Sequence, residues 1–175
     1  FISKKINLGL DLQGGSYLLL EIDNGPVEIQ KLQNTTTVIR NFLKDKKINF
    51  NDLRIENKKI IFNVDKNNAE LVETFFLDKE SEINPYYNQY KSHQFDLEIQ
   101  EGEFILELSK YGLIEIKTSS QDQALEIVRR RVDEVGTNEP NIIKRGNNRI
   151  LVELPGLDDP MRIKSLLGKT ANLTF

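Results

Sequence analysis

Cysteine is absent from the 175 residues and histidine occurs once, at His93. The first absence excludes a disulfide frame and any thiolate metal site, and it fits an oxidising compartment without requiring one. The second leaves His93 with no companion ligand beside it, so a metal role is not expected and a surface or loop histidine is. Excess charge of either sign is also missing. With 24 basic against 27 acidic residues, net -3, there is no concentrated cation to meet nucleic-acid phosphates. No run approaches the roughly 18 apolar residues that span a bilayer. An initiator Met and a signal peptide are lacking too, the chain opening on Phe1 and Ile2.

What is present is organised around residues 125–156. Leu125, Val128, Val132 and Val135 recur at steps of three, four and three, which is one face of a helix. Gly136 is then the expected left-handed residue after its end, and Pro140 blocks continuation. Ile142 and Ile143 open a β-prone run that turns at Gly146, Asn147 and Asn148 into 150–154. The stretch reads as helix, hairpin, stop.

Upstream, Ile6, Leu8, Leu10 and Leu12 alternate with polar residues and glycine as a strand does, Gly14-Gly15 allows a kink, and 16–23 continues the strand. The glycine pair is not a phosphate cradle, since neither GxGxxG nor GxxxxGK[ST] is present and no helix pattern follows. A helix is expected over 27–46, interrupted or frayed at Thr35-Thr36-Thr37. Two alternating runs, 53–56 and 59–64, meet at Asn57-Lys58 as a hairpin, and Asp65 is placed to cap a helix through Leu77.

The polar stretch 79–92 holds Pro85, Tyr86, Tyr87 and Tyr90. Two readings stand there: a loop packed on its own tyrosines, or a binding surface, because tyrosines give rigid amphipathic contact area. Residues 95–99 and 103–108 alternate across Glu101-Gly102. Their acids, Glu98, Glu101, Glu103 and Glu107, read as the solvated face of a strand pair rather than as catalytic carboxylates. The segment 110–118 is ambiguous between strand and helix, and the capping-box spacing of Ser120 and Gln123 puts the helix start at Ser119 or Ser120. Arg129, Arg130 and Arg131 span about 300 degrees of helix and cannot face one anion together, so a solvated flank with one arginine paired to a carboxylate is expected. Asp159 and Pro160 start a last helix, Gly168 closes it, and Leu173 and Phe175 begin a last strand.

End to end, the first strand, long helix, hairpin, short helix and last strand give a ferredoxin-like βαββαβ order, an α+β fold. The base would comprise 1–25 and 110–175. Residues 26–109 would form an inserted α+β subdomain of helix-hairpin-helix-strand order, which repeats the order of 119–175 and suggests a duplicated unit. An RNA-recognition module of this fold needs stacking aromatics on its central strand, and 149–154 has none. An acylphosphatase-like enzyme needs a phosphate loop and a positioned group, and none is found. A binding or mechanical module requires no such chemistry.

Two motifs in this order carry a resemblance. LGLDLQGG at 8–15, followed by an apolar run, and RRRVDEVG with an Asn-Glu-Pro, a basic turn, RILVELPG and a closing GKTANLTF resemble SecD proteins, a membrane subunit of the bacterial Sec protein-export machinery. The match covers about 6–25 and 119–175. Asp11, Gln13, Gly14 and Gly15 match its first motif, and Arg131, Val132, Gly136, Glu139, Pro140, Glu153, Leu154, Pro155 and Gly156 its second. Their physical reading is mainly structural: turn glycines, a helix stop with Glu139 and Pro140 fixing the exit, and a strand end. Opposite charge in the two motifs suggests that Asp11 pairs with Arg131.

The resemblance implies no catalysis and no cofactor. It implies a periplasmic domain of an inner-membrane parent protein that helps the proton gradient draw preproteins outward, with the proton-carrying residues in membrane helices outside this sequence. Implied partners are SecF, the SecYEG channel, unfolded preprotein clients and, as a further candidate, YajC; nucleic acid is not among them. It also makes Phe1-Ile2-Ser3-Lys4-Lys5 the expected tail of a membrane helix, and the chain a fragment trimmed at both ends. Two modes of client contact stand open: strand addition at an exposed sheet edge, or an apolar groove in which Tyr86, Tyr87 and Tyr90 hold side chains. The alternative is a structural module that docks other Sec subunits without touching the client.

Overall fold

The computed structural model describes residues 15–134 and 140–156. The strand expected over 6–12, the helix end at Gly136, the last helix and the last strand lie outside the described residues, as do Asp11, Gln13, Gly14 and Glu139. What is described is a mixed α/β chain with antiparallel sheets and three helices. It divides into two units, residues 24–116 and the segments on either side of them.

The 24–116 unit opens with α1 (Gly25–Asp45), followed by β2 (Phe50–Glu56) and β3 (Lys59–Val64), with β1 (Gly15–Glu21) belonging to the other unit. Leu32, Thr35, Thr36, Ile39 and Leu43 bury one stripe of α1. The helix is continuous through the three threonines, contrary to the expected interruption. The Thr36 hydroxyl donates to the Leu32 carbonyl (2.8 Å) and that of Thr37 to Gln33 (3.1 Å), so both find acceptors inside the helix instead of drawing the backbone out of it. Near the first turn Glu28 is buried and receives the Lys58 ammonium at 2.9 Å, on the side of the helix dipole that favours a carboxylate.

Asn57 (φ 49°) and Lys58 (φ 62°) are both left-handed, the paired conformation that closes a two-residue hairpin with the twist of its strands. α2 (Lys66–Leu77) follows Asp65 as expected, although the Asp65 side chain makes no capping bond and its backbone oxygen accepts from Asn68. A two-residue ladder, β4 (Tyr86–Tyr87) with β5 (Ser92–His93), stands where a plain loop was expected. Then β6 (Phe95–Gln100) and β7 (Glu103–Leu108) form a hairpin across left-handed Glu101 and Gly102. After the second helix there is thus a hairpin, where the helix-hairpin-helix-strand order has a single strand. The sheet order is β2-β3-β7-β6. Its buried face carries Ile60, Phe62, Phe104, Leu106 and Phe95 against Leu32, Ile39 and Leu43 of α1 and Val72 and Phe76 of α2, with Phe62 stacked on Phe104 at 5.2 Å.

The third described helix, α3 (Lys110–Asp133), starts nine residues before the expected Ser119. Ser120 is therefore not a cap but a buried mid-helix residue. Two features override the β-prone sequence of 113–118: Leu113 and Ile116 join the core of the 24–116 unit, and Ser109 supplies a cap. The Ser109 hydroxyl accepts from the Gly112 N–H at 2.9 Å and donates to the His93 carbonyl at 2.7 Å.

In the other unit, β8 (Asn141–Arg145) and β9 (Arg149–Pro155) pair as the expected hairpin, and β1 adds to β9, giving the order β1-β9-β8. One face of this sheet, with Leu18, Leu20, Ile142, Ile150, Val152 and Leu154, packs on Ala124, Leu125, Val128 and Val132 of α3. The Gln121 amide donates to the Gly146 and Arg149 carbonyls at 3.0 and 2.8 Å and fastens the β8–β9 turn to the helix.

Candidate functional site

The tyrosine-bearing stretch 78–94 is polar, yet it is fixed in place by one buried side chain. Asn84 is fully buried; its amide donates to the carbonyls of Phe76 (3.1 Å) and Phe95 (3.0 Å), and its oxygen accepts from the Phe95 N–H (2.8 Å). It thereby joins the end of α2 to the start of β6. His93 lies on β5, half-buried, its ring nitrogens 2.9 Å from the Asn84 carbonyl and 3.1 Å from that of Leu77.

On this frame the tyrosines fall into two groups. Tyr86 sits edge-on to His93 (4.8 Å), with the Lys79 ammonium 5.0 Å from its ring. Tyr87 meets Tyr90 edge-on, and Tyr90 stacks flat on Tyr111 at 4.6 Å and 10°. Tyr111 and Glu115 come from the first turns of α3, so the late helix start expected from sequence hid two members of the cluster. The only signal for them was Ser109 three residues ahead of Gly112, without the glutamate of a capping box. The Gln94 amide donates to the Tyr87 hydroxyl at 2.8 Å, and Gln89 donates to Glu115 at 2.9 Å. Burial, then the nearby Glu115 carboxylate, pushes the Tyr87 phenol above its ordinary range, with the Gln94 bond working the other way. All three sequence-expected tyrosines are half-buried; Tyr87 and Tyr90 are brought together with Tyr111, while Tyr86 packs on His93.

The other motif residues that are described belong to the unit that holds β1, β8 and β9. Val132 and Leu154 are core residues. Gly15 begins β1 in register with Pro155, and Gly156 has φ 73°. Pro140 immediately precedes β8, and Glu153 accepts from the Asn141 amide at 2.7 Å. Arg131 pairs with Glu134 and Arg129 with Glu126, both exposed, so two of the three arginines have partners on the helix's own surface. The acids of β6 and β7 are spread over the solvent face, Glu107 pairing with Lys59 and Glu103 with Arg54. Among the described residues there is no cluster of three or more potential metal ligands, and no helix is long and apolar enough to cross a membrane.

The half-buried tyrosines lie on an antiparallel α+β frame. The family model described as "Protein translocase subunit SecDF, P1 domain, N-terminal" matches residues 121–175, and that of the "SecD/SecF GG Motif" matches residues 1–25. The chain is 35% identical over 174 residues to protein translocase subunit SecD of Acetobacter pasteurianus, an alignment covering 98% of this chain and 32% of the relative. It is 33% identical over 172 residues to that of Rickettsia bellii (97% and 31%) and 31% identical over 174 residues to that of Magnetococcus marinus (99% and 31%). The chain belongs to the SecD family and spans about a third of the length of the curated relatives it matches. No solved structure matches it.

Proposed function

We propose that the chain is the first periplasmic domain of a SecD subunit and that it acts, without catalysis of its own, in Sec-dependent protein translocation. Its membership of the SecD family is the observation that carries this reading. On it, the parent protein is embedded in the bacterial inner membrane beside SecF, the SecYEG channel and YajC. Its proton-driven membrane part moves this domain, and the domain handles the emerging preprotein. Tyr87 and Tyr90, with Tyr111 stacked on Tyr90, and Tyr86 beside His93 are the contacts for that chain: rigid aromatic rings hold apolar side chains weakly and let them go.

The fold reading goes with this. The order β1-β9-β8 is that of the first, third and second strands of a ferredoxin-like sheet, which supports a ferredoxin-like base. The order β6-β7-β3-β2, with α1 before β2 and α2 after β3, is the same four-stranded arrangement with its first strand moved to the chain end, as β7. The insertion, residues 26–109 in the sequence reading, is thus a permuted copy of the base, in keeping with a duplication.

Photocrosslinking probes at Tyr87, Tyr90, Ile99 and Leu151 in the full-length membrane protein, during stalled export of a secreted client, test this. Crosslinks from the tyrosine probes to the client are expected. Crosslinks to other Sec subunits alone would make the domain a structural coupling element instead.

A further inference from the structure

We infer that the face of sheet β1-β9-β8 turned away from α3 is a docking surface for an extended polypeptide segment that carries an apolar side chain next to a carboxylate. Strand alternation sends Leu18, Leu20, Ile150 and Val152 toward the helix and leaves Leu19, Leu151 and Ile143 on the opposite face. Those three are directly in register across all three strands, and Tyr17 lies two residues along β1. Tyr17 is 74% exposed, Leu19 51% and Ile143 36%. Single exposed leucines need no explanation, but a row spanning all three described strands does.

The neighbouring row supplies the charge. Arg149 and Arg145 face each other directly in the β8–β9 ladder, an arrangement of like charges that destabilises a strand pair. Neither has an ion-pair partner among the described residues. Glu21, in register with Arg149, has its carboxylate engaged by the Asn148 amide at 3.1 Å. An occupant with a carboxylate about 7 Å from an apolar side chain, two residues apart on one side of an extended chain, meets both rows at once.

Size argues for a single segment over a second copy of the chain. Among the described residues, three strands and five residues make a plane of about 200 Å², against about 800 Å² per partner for a stable protein pair. A single extended segment fits, held weakly. A single-stranded RNA fits less well, because such sheets stack two or three bases on aromatics and this face offers Tyr17 alone. The inference names a chemistry for the chain handled in the translocation reading, and it rests on that reading for its biological partner.

The test is fluorescence anisotropy with the 175-residue chain and short labelled peptides of alternating Ser, Leu and Glu, compared with the same peptides carrying Lys for Glu. The acidic peptide is expected to bind at least about fivefold more tightly than the basic one. Leu19→Ser with Ile143→Ser is expected to weaken it at least about tenfold with the melting temperature unchanged, and Arg149→Glu to reverse the preference. An unaltered preference in Arg149→Glu, or undiminished binding in the serine variant, overturns the inference. So does concentration-dependent dimerisation abolished by Leu19→Ser, or tighter binding of oligouridine than of the acidic peptide. Peptide binding without any client crosslink in the export experiment would remove the translocation reading and leave this surface standing. Client crosslinks from Tyr87 or Tyr90 without peptide binding here would do the reverse.

Discussion

Gly112, in the first turn of α3, lies so close to the Gln94 carbonyl oxygen that a Cβ at this position would overlap it. That carbonyl already accepts from the Ser109 N–H at 3.0 Å, so it is fixed by the cap it helps to form. The helix can begin at Lys110 because residue 112 has no side chain.

Gly112→Ala is accordingly expected to destabilise the chain by roughly 2–3 kcal/mol, since the obstructing atom is backbone and cannot swing aside. Gly146→Ala is the informative comparison. Gly146 is left-handed (φ 61°) but has open space around it, so only the conformational penalty of about 1 kcal/mol applies. Thermal melts followed by circular dichroism should rank the two in that order; the reverse ranking would mean that α3 can start later without loss.

Asn84→Ala removes three hydrogen bonds and leaves the Phe95 N–H and two carbonyls buried without their partner, a loss of about 3 kcal/mol. Asn84→Asp keeps the acceptor for Phe95 but turns two donors into a carboxylate oxygen facing two carbonyls. It should therefore be no better than alanine at neutral pH and should recover part of the loss in acid, as the carboxyl gains a proton. Denaturant titrations at neutral and acidic pH check this.

Lys31 on α1 is half-buried, and desolvation lowers the pKa of its ammonium. A lowered folded value means that the unfolded chain binds more protons between the folded pKa and the usual 10.5, so this group's contribution makes stability rise with pH there. Lys31→Met should be more stable than the parent at neutral pH by up to about 0.5 kcal/mol, with the gap closing as pH approaches 10.5. Tyr87 has the opposite sign. Its raised phenol contributes stability that is present below about pH 10 and lost above it, so Tyr87→Phe should resist alkaline unfolding better than the parent.

Gln121→Ala frees the carbonyls of Gly146 and Arg149 from the helix. Loss of about 1–2 kcal/mol is expected, together with faster amide hydrogen exchange in β8 and β9 and little change in β3 and β7. Uniform acceleration in both sheets would show that the two units unfold together.

Much of this architecture can be read in the sequence where local chemistry and packing agree. Asn57-Lys58 and Glu101-Gly102 announce their hairpins because two-residue turns demand left-handed residues, and the alternation of β3 and β9 reports one buried face each. The start of α3 was hidden because Leu113, Ile114 and Ile116 suit a strand locally and become helical only through burial of Leu113 and Ile116 in a core assembled from distant residues. The tyrosines were legible as a cluster, but their platform was not. Tyr111 lies beyond three strands in sequence, and the residue that fixes the loop is a polar one, Asn84, whose sole local sign is the Asn-Pro turn dipeptide.

β2 meets β3 with a break in register between Asn51 and Arg54, where Asp52 is left-handed (φ 59°) and Arg54 pairs with both Asp52 and Glu56. That irregularity falls on an outer strand of its sheet, the place where a flat row of unpaired amides would template another chain. On the proposed translocation reading, the domain meets many such chains in extended form. The bulge and its ion pairs would then keep this rim from being zipped into a foreign strand, confining adhesion there to side-chain contacts that can be released.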